Sequence, residues 1–242
     1  MKRNVLEARQ HEELVKGLDE AYRFYQEKGN ANRVRNVLMV MLGAETAMRS
    51  SEIRDLRVGD VYLSPLDQRP NITINGKGAR QRTMRISDGL YEAIKDYIDK
   101  LRPRDVDSDV IFVSERGGSI CSRTLLRVFY RWTERFTGRP VGVHDIRRST
   151  ITSWHRQGHD PVMIQRWAGH QDITTTYQCY IAVTPRDQQR ADDLRLSRKQ
   201  QRKDEEAAED GLNAKMRVLV QLWRDGILSD DEFHSKVDRL VV

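Results

Sequence analysis

The sequence predicts a mainly α-helical fold with a small antiparallel β-sheet, of the α+β class, followed by a helical hairpin. Apolar residues recur at helical spacing over most of residues 5–168, which favours a helical framework. Only residues 72–86 alternate apolar and polar side chains around an Asn-Gly-Lys-Gly turn, as the two strands of a hairpin do. With 242 residues, 38% of them hydrophobic, the chain is long enough to bury a sizeable core.

The segments ahead of the hairpin are predicted to be helices. Residues 5–28 place apolar side chains at helical spacing and end at Gly29, which indicates an amphipathic helix. Residues 31–45 are apolar nearly all round in their second half, as expected of a central buried helix. A short helix over 50–57 completes this part of the framework.

The segments after the hairpin continue the helical pattern with one interruption. The spacing of apolar residues predicts a helix over 90–101, which Pro103 stops, and another over 122–136. Between these helices, the short apolar run 110–113 predicts a brief strand.

Charge and cysteine content indicate the partner and the compartment. Of the 42 Lys and Arg and 36 Asp and Glu residues, 12 and 13 lie beyond residue 183, which leaves 30 against 23 before it. This basic excess fits binding to a nucleic acid backbone. The two cysteines, Cys121 and Cys179, make no disulfide framework, and the opening residues are charged. We therefore expect a cytoplasmic protein without a membrane segment.

The stretch after the predicted helices concentrates groups suited to phosphate chemistry. His144 and Arg147 stand three residues apart, so on a helix they project from one face. Apolar residues at helical spacing over 151–167, with a break at Gly158 and Pro161, predict helices there. A second histidine, His170, follows the end of this segment, and Tyr177 and Tyr180 come after a run of threonines. The stretch thus offers a guanidinium group, imidazoles and phenols, without the acidic cluster that a metal site would want.

No metal or nucleotide site is predicted elsewhere. His155 and His159 lie four residues apart, a spacing found in zinc sites, but no third ligand accompanies them and Gly158 interrupts the helix. The Gly76-Lys77-Gly78 turn lacks the first glycine and the Ser or Thr of a nucleotide-binding loop. We therefore expect neither a metal ion nor another cofactor.

The chain changes in composition beyond Pro185. Residues 184–211 are strongly charged and lack aromatic side chains, which predicts a charged helical linker. Residues 212–242 place apolar residues at helical spacing on either side of Gly226, with a capping box that begins at Ser229. Two short helices of this size cannot hold a core alone, so they need a partner surface.

Four of these features occur in a fixed order along the chain. In sequence they read Thr-Ala-Met-Arg49-Ser-Ser-Glu52, Gly-Lys77-Gly, His144-Asp-Ile-Arg147, and Gly169-His170 followed by tyrosine. Each motif is weak alone, but the ordered set over residues 1–183 closely resembles the catalytic domain of tyrosine recombinases, the phage integrase family. Residues 212–242 resemble a short C-terminal (SHOCT-like) helical hairpin that serves as an association module.

The resemblance implies site-specific DNA recombination or integration by a tyrosine nucleophile. The tyrosine attacks a phosphodiester of double-stranded DNA, forms a 3′-phosphotyrosyl link and releases a 5′-hydroxyl, which later rejoins a different strand. The ester conserves the bond energy, so neither ATP nor a metal ion is required. A homo-oligomer assembled on DNA is the expected form.

The resemblance also implies roles for single residues. Arg49 and Arg147 would clamp the phosphate, because guanidinium forks donate bidentate hydrogen bonds without losing their charge. Lys77 would protonate the departing 5′-oxygen, a step that an ammonium group can perform. His144 would help to handle the tyrosine proton, and His170 would donate to a phosphate oxygen.

Further residues would support the reaction without taking part in it. Glu52, three residues after Arg49, would orient the site. Arg80, Arg82 and Arg148 are candidate contacts to the DNA backbone, although a solvated hairpin face explains the first two equally well.

The nucleophile departs from the usual family pattern by one residue. That pattern places the tyrosine nine residues after the second histidine, where this chain has Cys179. Tyr180 is the expected nucleophile, because the sequence after it matches the family, and Tyr177 is the alternative. The shift requires a bulge or an altered turn in residues 171–176, since one residue turns a helical side chain by ~100°. Ala47 stands where the family usually has glycine, which a helical backbone would tolerate.

Members of the family normally carry an N-terminal DNA-clamping domain, and here only one helix precedes the buried one. We therefore expect low DNA affinity or an accessory protein that supplies the missing clamp. Two rival hypotheses remain. The first is a catalytically silent, DNA-binding regulatory protein derived from a recombinase. The second is an assembly subunit that works chiefly through residues 212–242.

Overall fold

The computed structural model describes residues 5–76, 81–104, 106–114, 117–172 and 175, together with 193, 196–197, 200, 215–224 and 229. The chain divides into two units, residues 1–182 and 183–242. In chain order the elements of the first unit are α1 (Ala8–Glu27), α2 (Ala31–Thr46), α3 (Ser50–Arg54), β1 (Val61–Leu63), β2 (Pro70–Asn75), β3 (Gln81–Arg85), α4 (Asp88–Asp96), α5 (Ser122–Thr137), α6 (Val143–Arg156) and α7 (Pro161–Ala168).

Helix α2 occupies the centre of the first unit. Val34, Leu38 and Leu42 are fully buried, and helices α1, α5 and α6 pack around them. The Asn30 side chain caps the first turn by accepting a hydrogen bond from a backbone N–H three residues further on. The apolar character of residues 31–45 thus reflects burial on several sides, as the sequence predicts.

Helix α5 approaches α2 closely at Gly43, which has no side chain. A methyl group on Gly43 would lie 2.8 Å from Cζ of Phe129. Phe129 is fully buried, and Leu125, Val128 and Trp132 on the same helix are buried as well. The close approach lets one aromatic ring fill the space between the two helices.

The sheet is antiparallel, with the strand order β1-β2-β3. Strands β2 and β3 pair Ile72 with Met84 and Ile74 with Arg82. Ile72, Ile74 and Met84 are buried, so one face of the hairpin packs on the helices. The predicted hairpin is present, and β1 extends it by pairing Val61 with Ile72.

One predicted strand is absent from the described residues. The run 110–113 forms only isolated bridges, Val110 with Arg57 and Val113 with Ser119. Its apolar side chains fill the core instead, and those at positions 111 to 113 are fully buried. The prediction of a strand there was wrong because a short apolar run marks burial as readily as a strand ladder.

The helix predicted over 90–101 changes its winding part of the way along. It begins as α4 after Ser87, whose side chain accepts a hydrogen bond from the Leu90 N–H. Beyond Asp96 the turn Tyr97–Leu101 is π-helical. The predicted helix over 50–57 is also shorter and ends at Arg54.

Helix α2 ends in a residue with left-handed backbone geometry. Ala47 has a φ of 52°, and its N–H donates to the Gly43 carbonyl at 3.2 Å. The helical backbone under which alanine would be tolerated is therefore absent at Ala47, and its left-handed conformation explains a preference for glycine at the position. The turn lets α3 start at Ser50 as a separate helix, with Arg49 as its N-cap residue.

In the second unit, the described residues include a helical stretch over 215–224. Its apolar residues include Leu219 and Trp223, and Trp223 is 41% exposed. Most of the linker and hairpin predicted over 184–242 lies outside the described residues, so these boundaries stay predictions. No helix in the described part of the chain is both long and apolar enough to cross a bilayer.

Candidate active site

Arg49 stands at the junction between α2 and α3. Its Nη1 donates to Glu52 Oε1 at 2.8 Å, and its Nη2 donates to the Gly169 carbonyl at 2.9 Å. The side chain is 39% exposed, so a phosphate can reach the guanidinium. Two partners from different parts of the chain therefore fix the orientation of an accessible cationic fork.

Glu52 lies beneath Arg49 and is almost fully buried. Its carboxylate accepts the Arg49 backbone N–H at 2.8 Å and both Nη groups of Arg82 at 2.8 Å. Burial alone would raise the pKa of Glu52, but the hydrogen bonds and charge of Arg82, with further hydrogen bonds from Arg49, outweigh it and lower the pKa to about 2. The carboxylate is thus ionised at neutral pH and holds two guanidinium groups in place.

Arg147 reaches the same place from helix α6. It is 6% exposed, and its Nη1 and Nη2 donate to the carbonyls of Ala47 and Ala168. Ala47 is two residues before Arg49, and Ala168 is one residue before the carbonyl that Arg49 binds. The two guanidinium groups therefore converge on neighbouring backbone atoms, although 98 residues separate them in sequence.

Helix α7 presents the second histidine at its C-terminal end. The Asp160 side chain caps the start of the helix by accepting two backbone N–H groups, and Gly169, with a φ of 64°, ends it. His170 follows directly. Burial, together with the charges of Arg147, Arg49 and Arg82, lowers the pKa of His170 to about 4. The imidazole is neutral at physiological pH beside a cluster of positive charges.

The other residues predicted for the site lie at its edge or outside the described residues. His144 is exposed in the first turn of α6. Arg148 is also accessible, with its side chain 50% exposed and its Nη1 at 3.6 Å from an Asp145 carboxylate oxygen. The remaining four predicted residues lie outside the described residues: Lys77, Arg80, Tyr177 and Tyr180.

Arg82 is largely buried, whereas the sequence predicts an exposed residue that contacts the DNA backbone or faces solvent. Its side chain is only 10% exposed, its two Nη groups bind Glu52, and its Nε donates to the Trp167 carbonyl at 2.8 Å. The strand pattern contained the signal for this position. Arg82 lies opposite buried Ile74 and two residues before buried Met84, so alternation places it on the inner face of the hairpin.

The arrangement suits the binding of one phosphate group. Arg49 and Arg147 supply two permanent positive charges with planar donor geometry, and His170 adds a neutral imidazole beside them. Within the described ranges, no three His, Cys, Asp or Glu side chains gather as ligands of a metal ion would. The chemistry that these side chains offer is charge neutralisation and hydrogen bonding.

Comparison with known proteins identifies relatives of this chain. The model of the phage integrase family matches residues 4–187. Tyrosine recombinase XerA from Pyrococcus furiosus is 31% identical over 157 residues, which are 63% of this chain and 52% of that protein. Transposase A from transposon Tn554 of Staphylococcus aureus is 26% identical over 180 residues, or 70% of this chain and 49% of the relative. The chain spans about half the length of these relatives.

Solved structures share the fold. The XerH site-specific recombinase in a post-cleavage complex with palindromic difH substrate matches with a TM-score of 0.66 and 23% identity, over 80% of this chain and 53% of the XerH chain. The XerA recombinase structure matches with a TM-score of 0.61 and 23% identity, over 82% of this chain and 63% of the other. Both comparisons confirm the predicted mainly α fold with a small antiparallel sheet. Because the family model covers most of the sequence, this chain belongs to the phage integrase family.

Proposed function

We propose that this chain is a site-specific DNA recombinase or integrase that cuts and rejoins strands through a tyrosine ester. The observation that carries the proposal is the convergence of Arg49, Arg147 and His170 at the end of helix α7. A phosphodiester under attack accumulates negative charge on its non-bridging oxygens, and two guanidinium groups at one place are suited to stabilise that charge.

The reaction conserves the number of phosphate ester bonds. The Tyr180 hydroxyl loses its proton, with help from His144, and its oxygen attacks phosphorus while the bond to the 5′-oxygen breaks. Lys77 gives a proton to that oxygen, so that a 5′-hydroxyl leaves and a 3′-phosphotyrosyl ester remains. Attack by the 5′-hydroxyl of another strand reverses these steps and frees the tyrosine. Because each ester replaces another, the cycle needs no ATP.

Partners follow from the same proposal. Double-stranded DNA is the substrate, and strand exchange between two duplexes requires several copies of the chain, so we expect a homo-oligomer on DNA. The helical stretch 215–224 supports an association role for the segment 212–242, because it exposes two large apolar side chains, Val218 and Trp223. The proposal also includes an accessory protein that strengthens the binding of the chain to DNA.

A trapping experiment tests the proposed function. The chain is incubated with a pool of nicked duplexes of randomised sequence, in which the cleaved strand loses its short 5′-hydroxyl fragment and cannot rejoin. We expect a covalent adduct that survives denaturation and is lost in Tyr180→Phe but kept in Tyr177→Phe. Mass spectrometry of the adduct then finds the phosphate on the peptide that contains Tyr180.

Other outcomes assign the function differently. An adduct that survives Tyr180→Phe and disappears in Tyr177→Phe moves the nucleophile to Tyr177. Salt-sensitive DNA binding without any adduct favours the catalytically silent regulatory protein, because backbone contacts alone give such binding. Neither adduct nor DNA binding, with a mass in solution that falls when residues 212–242 are deleted, favours the assembly subunit.

A further inference from the structure

Three consecutive carbonyl groups at the end of α7 each accept a hydrogen bond from a different arginine. The Trp167 carbonyl accepts from Arg82 Nε at 2.8 Å. The next two carbonyls, of Ala168 and Gly169, accept from Nη2 of Arg147 and of Arg49, respectively. The three arginines come from β3, α6 and the start of α3, so this helix end joins three separate elements.

Arg82 differs from Arg49 in how completely protein acceptors engage its guanidinium group. Both of its Nη groups donate to Glu52 at 2.8 Å, its Nε donates to the Trp167 carbonyl, and its side chain is 10% exposed. Arg49, by contrast, is 39% exposed. All three nitrogens of the Arg82 guanidinium therefore donate to protein acceptors, which ties this side chain to Glu52 and to the end of α7.

Glu52 connects Arg82 to the arginine that faces solvent. One carboxylate oxygen accepts from both Arg82 Nη1 and Arg49 Nη1, and the other accepts from Arg82 Nη2 and the Arg49 backbone N–H, each at 2.8 Å. A shift of Arg82 would therefore move the carboxylate that orients Arg49, and it would release the helix end that presents His170.

Gly169 allows the guanidinium of Arg82 to pack against the chain reversal. A Cβ atom at Gly169 would lie 3.0 Å from Arg82 Nη1 and 3.2 Å from its Cδ. The absence of a side chain at this left-handed residue thus leaves the space that Arg82 fills. Sequence position 169 and the conformation of Arg82 are coupled by this contact.

We propose that Arg82 is a positioning residue, which holds Glu52 and the end of α7 so that Arg49, Arg147 and His170 face one phosphate. This inference rests on the proposed function and adds a member to that site. Arginine suits the role because its planar fork binds a carboxylate with two nitrogens and leaves Nε for a third acceptor. A lysine keeps the charge but has no such fork.

The test compares Arg82→Gln and Arg82→Lys with Arg85→Gln in the full chain. Arg85 is a matched control, because it lies on the same strand, and its exposed side chain pairs with Asp67. With the nicked duplex recovered from the pool, we expect adduct formation to slow on the order of 10²-fold in Arg82→Gln, since a misplacement of about 1 Å in a site costs that much. Arg85→Gln should stay within roughly threefold of the unsubstituted chain.

Two further variants distinguish a positioning role of Arg82 from a simple contribution of its charge. Arg82→Lys keeps the positive charge, and we expect it to remain at least tenfold slow, as bidentate geometry is lost. The double variant Arg82→Gln/Glu52→Gln should lose little more rate than Glu52→Gln alone, because both act through one carboxylate. The DNA affinity of Arg82→Gln should match that of Arg85→Gln, because both variants have lost one positive charge. An unchanged rate in Arg82→Lys, additive losses in the double variant, or a selective loss of DNA affinity would each overturn the proposal.

A titration distinguishes failure of this inference from failure of the proposed function. Loss of Arg82 should raise the pKa of His170 from about 4, because this charge helps to lower it, whereas loss of Arg85 should leave it unchanged. NMR of labelled histidine measures this shift without DNA. If the unsubstituted chain forms no adduct with any duplex, the proposed function fails. The positioning role is overturned separately if the pKa of His170 is identical in Arg82→Lys, Arg82→Gln and Arg85→Gln.

Discussion

At the scale of single residues, one buried carboxylate organises several positive charges. Glu52 contributes the negative charge that lets Arg49 and Arg82 lie within hydrogen-bond reach of the same two oxygens. Arg147 lies in the same cluster, but its guanidinium group donates to neutral carbonyl groups instead of a carboxylate. Since buried charges are tolerated only when they are paired and hydrogen-bonded, Glu52 supports both the stability of the fold and the geometry of the site.

Replacing this carboxylate should destabilise the fold strongly. In Glu52→Gln the buried Arg82 guanidinium loses its charged partner, and we expect the free energy of unfolding to fall by about 3–5 kcal/mol in urea titrations. Asp67→Asn is the matched control, because it breaks an exposed arginine pair and should cost only about 0–1 kcal/mol. Equal losses in the two variants would show that the buried pair is not the stronger of the two.

The protonation state of His170 gives a second prediction at this scale. Its pKa lies near 4, below the ordinary value of 6.5, so it should stay neutral from pH 8 to pH 5 in histidine-selective NMR titrations. Because unfolding restores the ordinary value, the folded state loses stability as pH falls from 6.5 through 4. In Arg49→Gln the pKa should rise. A His170 that titrates near its ordinary value in the unsubstituted chain contradicts the observed clustering of charge.

At the scale of elements, the site depends on how two helices end. Helix α2 ends at left-handed Ala47, and α7 ends at left-handed Gly169. Both turns expose carbonyl groups that the arginines bind, so the ends of the helices supply acceptors as well as a change of direction. The packing of α2 on α5 then keeps the first of these turns in place.

The contact between α2 and α5 should tolerate no added methyl group. Gly43→Ala places Cβ 2.8 Å from the buried Phe129 ring, and we expect it to lower the free energy of unfolding by about 1–3 kcal/mol. Gly89→Ala is the control, because nothing lies within 4 Å of a Cβ there, so the better helix propensity of alanine should raise stability by about 0.5–1 kcal/mol. Urea titration of both variants checks the signs, and a stabilised Gly43→Ala would contradict the packing described.

Sequence periodicity predicted the helices well and the irregular segments poorly. The spacing of apolar residues located α1, α2 and α5 within a few residues, because each buries a continuous stripe. The prediction of a strand over 110–113 was wrong, and the left-handed backbone of Ala47 was not predicted, since burial without strand pairing and a left-handed turn depend on tertiary packing. The hydrogen-bond partners of Arg82 could not be predicted for the same reason, because its acceptors lie far from it in sequence.

At the scale of the whole molecule, the fold gathers charges that the sequence disperses. Arg49, Arg82 and Arg147 come from three elements, and their contacts meet within three residues of one helix end. The ordered motifs allowed Arg49, Glu52, Arg147 and His170 to be predicted from sequence as one group. Their convergence within residues 1–182 is the basis for our proposal that this unit acts on DNA.

The central claim is that Arg49 and Arg147 neutralise charge on a single scissile phosphate. The most direct test measures adduct formation by Arg49→Ala and Arg147→Ala on the recovered nicked duplex, with either a normal phosphate or an uncharged methylphosphonate at the cleavage position. We predict that each variant is slowed on the order of 10²–10³-fold on phosphate and recovers at least roughly tenfold of that loss on methylphosphonate, where less charge needs neutralising. An equal loss on both duplexes for either arginine would contradict the claim.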